Sequence, residues 1–304
     1  MKIWKDLKVS PEEEKLVEEI RAGGIGKSLP EEALKEFQVD WEEDIEIDTR
    51  AGTALVHMYW PKMQEGEKIP LLINIHGGGF VKGRRDQDIV YCRNIGGRFG
   101  GAVADIDYVP APVMRYPGQV YACYDVLQYF GNHGEEMGID VKRIAMGGHS
   151  AGGTLTAASI LMAIDQGGFL PALQILDYAG LDLKTPAAEK RNAGSNPRIP
   201  LWKSEFYNKM YADPEDTGEV YCSPLLASDE QLAKMPPTLI ICCENDVFCD
   251  ENIRFQNRLM KQGVPVYGKC FLHSSHGFTV QRRDEYAEAE QMILNALNMM
   301  MQTD

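Results

Sequence analysis

The feature that most constrains the fold is an alternation. Six short apolar runs, "LLINI", "GAVADI", "RIAMGG", "ALQILDY", "TLIICC" and "VYGKCFL", are interleaved with stretches of helical pattern near 88–98, 118–132, 151–165, 250–262 and 284–301. Short runs without polar alternation suit strands buried on both faces. Such strands, separated by helices, predict an α/β architecture with a mainly parallel sheet covered on both sides. Ahead of them, "DIEID" and "GTALVHMYW" alternate apolar and polar residues and are joined by Arg50-Ala51-Gly52, which predicts an antiparallel hairpin. With 304 residues there is ample length for one large domain.

Two segments stand outside this rhythm. Near the N-terminus, Ser10-Pro11 with Glu13 reads as a helix start, Leu16, Val17 and Ile20 as its apolar face, and Gly23-Gly24 as its end. A second short helix is expected over Glu31 to Phe37. Later, the stretch from Thr185 to Asp213 begins polar and becomes a helix carrying Trp202, Phe206, Tyr207, Met210 and Tyr211. That helix is either a packed surface excursion or a cap over a site, since insertions between sheet elements often carry substrate contacts.

The composition excludes several classes of function. Lys and Arg number 31 against 45 Asp and Glu, a formal charge of −14, which disfavours nucleic acid and anionic membranes as partners. No stretch has the length of a membrane span, and no secretory signal precedes the first helix. Seven scattered cysteines without paired CxxC spacing are expected to be reduced thiols of a cytoplasmic protein rather than metal ligands.

The chemistry is concentrated in "RIAMGGHSAGGTLTAASIL". Gly148-His149-Ser150-Ala151-Gly152 is a G-x-S-x-G between a strand and a helix, the setting of a nucleophile elbow. A serine on so sharp a turn has strained backbone angles. Its neighbours two positions away must be small, and the following helix presents its positive end to developing negative charge. A second glycine cluster follows the strand "LLINI" as His76-Gly77-Gly78-Gly79-Phe80. Bare amides there can hold either a phosphate or the oxyanion of acyl transfer. No Gly-Lys-Ser/Thr follows, which removes the phosphate reading. The amide of Ala151 is then one oxyanion donor and the glycine loop supplies the others. His76 reads as a loop-organising side chain.

A serine nucleophile requires a base and an orienting carboxylate, which follow it along the chain in this arrangement. Of six histidines only His273 and His276 come late enough. His276 opens a loop after its strand, whereas His273 sits at the strand's own end, so His276 is preferred. For the acid, "TLIICCENDVFCDEN" offers Glu244, Asp246 and Asp250. Asp246 falls just beyond the strand, and Asp250 reads as a helix-capping residue.

Taken together, HGGGF, "DIDYVPAPVMRYPGQVYACYDVLQY", GGHSAGG, "SPLLA", "PPTLIICCENDVFCDE" and "GVPVYGKCFLHSSHGF" resemble, in order and spacing, the hormone-sensitive-lipase-like esterases of the α/β-hydrolase superfamily. The resemblance runs from about Asp44 to the C-terminus. It implies an α/β-hydrolase catalytic domain over 44–184 plus 216–304 and a helical cap over 1–43 plus 185–215. It implies a Ser150–Asp246–His276 triad, an oxyanion hole from Gly78, Gly79 and Ala151 with Gly77 close by, and no metal or cofactor. The implied activity is hydrolysis of short-chain, acetyl-type esters through an acyl-enzyme. The expected partner is a small-molecule ester, and a homodimer is compatible with the reading. Phe80, Tyr108, Phe206 and Tyr207 are the expected substrate contacts.

Three departures stand out. His149 replaces an acid common before the nucleophile, the family's "DYRLAPE" loses its final acid at Val113, and Val247 follows the aspartate where proline is usual. The same motifs also resemble arylformamidase-type hydrolases, which leaves an amide or formamide substrate as the alternative. A non-catalytic ligand-binding homologue has no need of all three triad residues.

Overall fold

The apolar runs assemble into one eight-stranded sheet in a computed structural model that describes residues 3–22, 37, 39–64, 66–193 and 199–300. Its strands are β1 (Trp41–Thr49), β2 (Gly52–Trp60), β3 (Ile69–Ile75), β4 (Ala102–Asp107), β5 (Ile139–His149), β6 (Leu173–Asp177), β7 (Thr238–Asn245) and β8 (Val266–Ser275). The order across the sheet is β1-β2-β4-β3-β5-β6-β7-β8. β1 and β2 form the expected hairpin, with Glu46 opposite Leu55, and β2 pairs antiparallel with β4. From β4 through β8 every pairing is parallel.

The described helices are α1 (Pro11–Ala22), α2 (Asp86–Phe99), α3 (Gly118–His133), α4 (Ala151–Gln166), α5 (Leu201–Tyr211), the single turn α6 (Asp229–Leu232), α7 (Cys249–Lys261) and α8 (Tyr286–Met300). The helix expected over 31–37 and the stop at Gly23-Gly24 fall outside the described residues, apart from Phe37. Successive strand residues point to opposite faces. Leu71, Ile73 and Ile75 accordingly pack with α3, α4 and α7, through Val120, Phe130, Leu155, Leu161 and Phe255. Leu72, on the other face, packs with α2 and α8 through Tyr91, Ile95, Ile293 and Leu297. Every residue of α4 from Ala151 to Ala163 is buried, so this helix carries no polar stripe. No described helix is long and apolar enough to cross a membrane.

α1 and α5 lie apart from the sheet and share a small core. Val17 and Ile20 of α1 meet Phe206 and Met210 of α5, together with Val81 and Ala111. Ser10 and Glu13 cap α1 reciprocally, Glu13 N–H donating to Ser10 Oγ at 3.2 Å and Ser10 N–H to Glu13 Oε2 at 3.0 Å. Arg21 ties this helix to the loops after β3 and β4 by donating to Val81 O and Ala111 O at 2.9 and 3.0 Å. At the other end of α5, the buried Arg115 donates to the terminal carbonyls of Met210 and Lys209 and to Asp213 Oδ1 at 2.8 Å. Those carbonyls have no donors to meet within the helix itself, so Arg115 supplies them.

Candidate active site

In a parallel sheet with helices on both faces, ligands bind where the strands end at their carboxyl termini. Here β3 ends in the glycine loop, β5 in Ser150, β6 in Asp177, β7 just before Asp246 and β8 just before His276. Residues separated by up to 200 positions thereby meet at one rim.

Ser150 has φ 56° and ψ −118°, outside the regions open to ordinary side chains. The flanking glycines hold it there. A Cβ on Gly152 would lie 2.0 Å from Ile75 O, and one on Gly148 would lie 2.4 Å from the Gly152 carbonyl. Only glycine lets the elbow and the end of β3 approach so closely. Ser150 Oγ lies 2.8 Å from His276 Nε2, and His276 Nδ1 lies 2.6 Å from Asp246 Oδ2. All three side chains are at least nine-tenths buried. The other Asp246 oxygen accepts from Phe248 N–H at 3.3 Å. Tyr178 and Phe248 flank the imidazole with ring centroids 4.9 and 5.4 Å away.

The alternatives left open along the chain separate clearly. His273 is exposed, and its amide donates to Glu285. Glu244 pairs with Arg191 at 3.1 Å, and Asp250 stands in the first turn of α7.

The glycine loop faces the elbow. A Cβ on Gly77 would be 2.8 Å from His149 O, and Gly78 and Gly79 have φ of 133° and 62°. The amides of Gly78, Gly79 and Ala151 donate to no acceptor among the described residues. His76 is fully buried under the loop, its Nδ1–H donating to Gly77 O at 2.8 Å and its ring stacked on Tyr108 at 4.3 Å. Burial opposes charge on this imidazole, but Asp107 and the further carboxylates of Asp88 and Asp105 outweigh it and raise its pKa. Asn74 and Arg84 both bind Asp105, at 2.7 Å each, and so anchor the two ends of the loop to β4.

Around these groups a cleft of about 860 Å³, counting its open mouth, is lined by Phe80, Tyr178, Leu183, Ile199, Tyr207 and Phe248 among others. Two of the four expected substrate contacts, Phe80 and Tyr207, line it. The other two do not. Tyr108 is buried behind the loop, its hydroxyl donating to His76 O at 3.2 Å. Phe206 faces α1. Phe206 and Tyr207 both belong to the small core with α1, but of the two only Tyr207 also lines the cleft. Tyr207 covers Gly79 so closely that a Cβ there would meet its ring at 2.4 Å. Tyr211, one turn on, is fully buried and stacks on Phe80 at 3.7 Å, while Trp202 is 52% exposed.

Sequence reasoning missed Tyr178, Phe248 and Asp177. Phe248 had a signal, lying two residues beyond Asp246. Asp177 had none. It lies beneath the elbow, where Asp177 Oδ2 is 2.8 Å from His149 Nδ1 and its backbone carbonyl accepts from Ser150 N–H at 2.9 Å. Burial pushes its carboxyl pKa up, against the stabilising pull of His149.

Comparisons with known proteins identify relatives of the chain. A family described as alpha/beta hydrolase fold matches residues 72–280. Esterase LipI of Mycobacterium tuberculosis is 31% identical over 227 residues, covering 73% of this chain and 70% of that protein. An acetyl esterase of Salmonella schwarzengrund is 27% identical over 238 residues, covering 76% and 71%. Among solved structures, an esterase of Pyrobaculum calidifontis superposes with a TM-score of 0.85 at 27% identity, covering 98% of this chain and 96% of that one.

Proposed function

The chain belongs to the hormone-sensitive-lipase-like branch of the alpha/beta hydrolase fold family and hydrolyses ester bonds, and on that premise we propose that it is a serine carboxylesterase of short-chain acyl esters. The observation that carries the mechanism is the unbroken line from Asp246 through His276 to Ser150, at 2.6 and 2.8 Å. Ser150 Oγ attacks the ester carbonyl while His276 Nε2 takes its proton. Asp246 accepts from Nδ1–H, which selects the tautomer with a bare Nε2 and stabilises the imidazolium. The carbonyl oxygen becomes an oxyanion held by the amides of Gly78, Gly79 and Ala151, each critical donor being worth about 3–4 kcal/mol in the transition state. His276 then protonates the leaving alcohol. A water activated by the same imidazole releases the acid and restores Ser150. The acetyl esterase among the relatives supports a small acyl group. α1 and α5 act as a cap, with Tyr207 as its contact to the substrate.

The test is covalent. A fluorophosphonate should label the protein once, at Ser150, and an acetyl ester should be turned over far faster than the matching anilide. Labelling elsewhere would remove Ser150 as the nucleophile, and a preference for the anilide would favour the amidase alternative.

The cap reading makes a separate prediction. Tyr207→Ala should shift the preferred acyl length or raise KM across an ester series, since each methylene in an apolar pocket discriminates by roughly 1–3 kcal/mol. Phe206→Ala should instead leave the length profile alone and cost about 3 kcal/mol of stability, as loss of a buried phenyl ring does. Melting curves and an ester series on both variants decide it. An unchanged profile in Tyr207→Ala would remove that residue from the substrate site.

A further inference from the structure

The cleft is lined by several charged side chains, and nearly all are answered within the protein. Arg85 pairs with Asp88 at 3.2 Å and donates to Gly77 O at 3.1 Å. Asp182 accepts from Thr185 through both its amide and its hydroxyl. Lys190 binds Glu251 at 2.7 Å. His149 and His276 each meet an aspartate. The exception is Lys82. The residue lines the cleft and is only 3% exposed, and its buried Nζ has no hydrogen-bond partner among the described residues.

Lys82 belongs to the loop that presents the oxyanion amides. Its amide donates to Gly78 O at 3.1 Å, and a Cβ on Gly78 would touch Lys82 Cβ at 2.8 Å. Among the described residues, the charges that act on it are cations. Burial lowers its pKa to about 8, and Arg85 and then Lys203 push in the same direction, with no carboxylate to offset them. At pH 7 it is still protonated by about ten to one. A buried ammonium without a counter-charge is strongly disfavoured in a folded chain. The chain carries 45 acidic residues against 31 basic ones, yet among the described residues no carboxylate offsets this charge. Lys82 and Arg85 both line the cleft, with Lys203 close enough to act on Lys82, and such a group of cations is an electrostatic complement to an anionic group.

We propose that Lys82 forms an anion subsite beside the oxyanion loop, and that the ester this protein takes carries a carboxylate on its acyl or alcohol part. The inference rests on the reading of Ser150 as an esterase nucleophile. The carboxylate of the bound ester accepts from Lys82 Nζ, with Lys203 and Arg85 adding to the field. This contact orients the ester so that its carbonyl oxygen meets the loop amides. In the bound state the lysine gains the partner that the protein withholds.

Two ester series test it, both read by proton release on a pH-stat. The acyl arm sets monomethyl succinate, glutarate and adipate against the methyl esters in which an isopropyl group replaces the carboxylate. The alcohol arm sets the acetyl esters of glycolate and lactate against their isopropyl counterparts. In at least one arm, wild-type kcat/KM should favour the anion by about tenfold or more, and Lys82→Met should cut that ratio at least tenfold, as truncating one member of a buried charge pair does. Lys82→Arg should hold the ratio within about threefold of wild type, because it keeps the cation. Lys82→Met should also melt no lower than wild type, since an apolar chain of similar volume replaces an unpaired charge. A wild type that prefers the neutral ester in every pair overturns the subsite, as does a Lys82→Met ratio equal to wild type. If Ser150→Ala hydrolyses these esters as fast as wild type, the esterase reading fails and the subsite falls with it. Hydrolysis that depends on Ser150 but ignores the anion removes the subsite alone.

Discussion

Ser150→Ala is expected to lower kcat/KM for a short acyl ester by about 10⁴–10⁶-fold while the melting temperature stays close to wild type. The catalytic part follows from the chain of contacts. Without Oγ, His276 Nε2 has nothing to deprotonate at 2.8 Å, and the well-placed imidazole and oxyanion amides act only on water. The stability part follows from the elbow. Alanine keeps the Cβ, so the strain at φ 56° is unchanged, and no neighbouring atom has to move. His276→Ala should cause a loss of similar size, and the double variant should be little worse than either alone, because triad members act as a unit. The measurement is steady-state hydrolysis by freshly purified variant alongside a melting curve. Residual activity above about a hundredth of wild type would rule out Ser150 as the nucleophile.

Gly152→Ala is the harsher change to the architecture, although it adds one methyl group. The new Cβ would lie 2.0 Å from Ile75 O and 2.7 Å from His76 O. Both are backbone atoms of β3 and its extension, so no side chain can turn aside. The elbow and the glycine loop must therefore separate. Overpacking of this kind costs about 1–3 kcal/mol and occasionally more. The separation also pulls Gly78 and Gly79 away from Ser150, and a misplacement of about 1 Å can cost ~10²-fold in rate. The expected outcome is a lower melting temperature and, at a temperature where the variant is folded, a loss of 10²-fold or so in kcat/KM for any acyl ester. Gly218→Ala is the control, because nothing lies within 4 Å of its added Cβ and its backbone angles are ordinary. It should stay within about 0.5 kcal/mol of wild type. Wild-type melting and turnover in Gly152→Ala would mean that the close approach of elbow and loop does not hold the site together.

These two variants also mark the boundary of what the linear chain revealed. The alternation of apolar runs with helical stretches was enough to anticipate the parallel sheet and its antiparallel hairpin, because period and strand length are local properties of contiguous residues. The elbow was legible for the same reason. A strand, a serine between small residues and a helix make a turn whose sterics involve five neighbouring positions, Gly148 to Gly152. Where chain order left His273 and His276 as bases and strand ends favoured His276 and Asp246, the fold brought those two to Ser150 and left His273 in solvent. What lay beyond reach was every question of facing. Which of Phe206 and Tyr207 reaches the cleft turns on the rotation of α5, which is set by α1 packing against Phe206, Tyr207 and Met210 from almost 200 positions away. Asp177 meets His149 only because β5 and β6 are paired in one register, His149 opposite Asp177. Lys82 stands out only once every other charge in the cleft has been given its partner. Local sequence carries the geometry of a turn or a strand, whereas the partner of a side chain is chosen by segments remote along the chain, and only the tertiary structure brings those into contact.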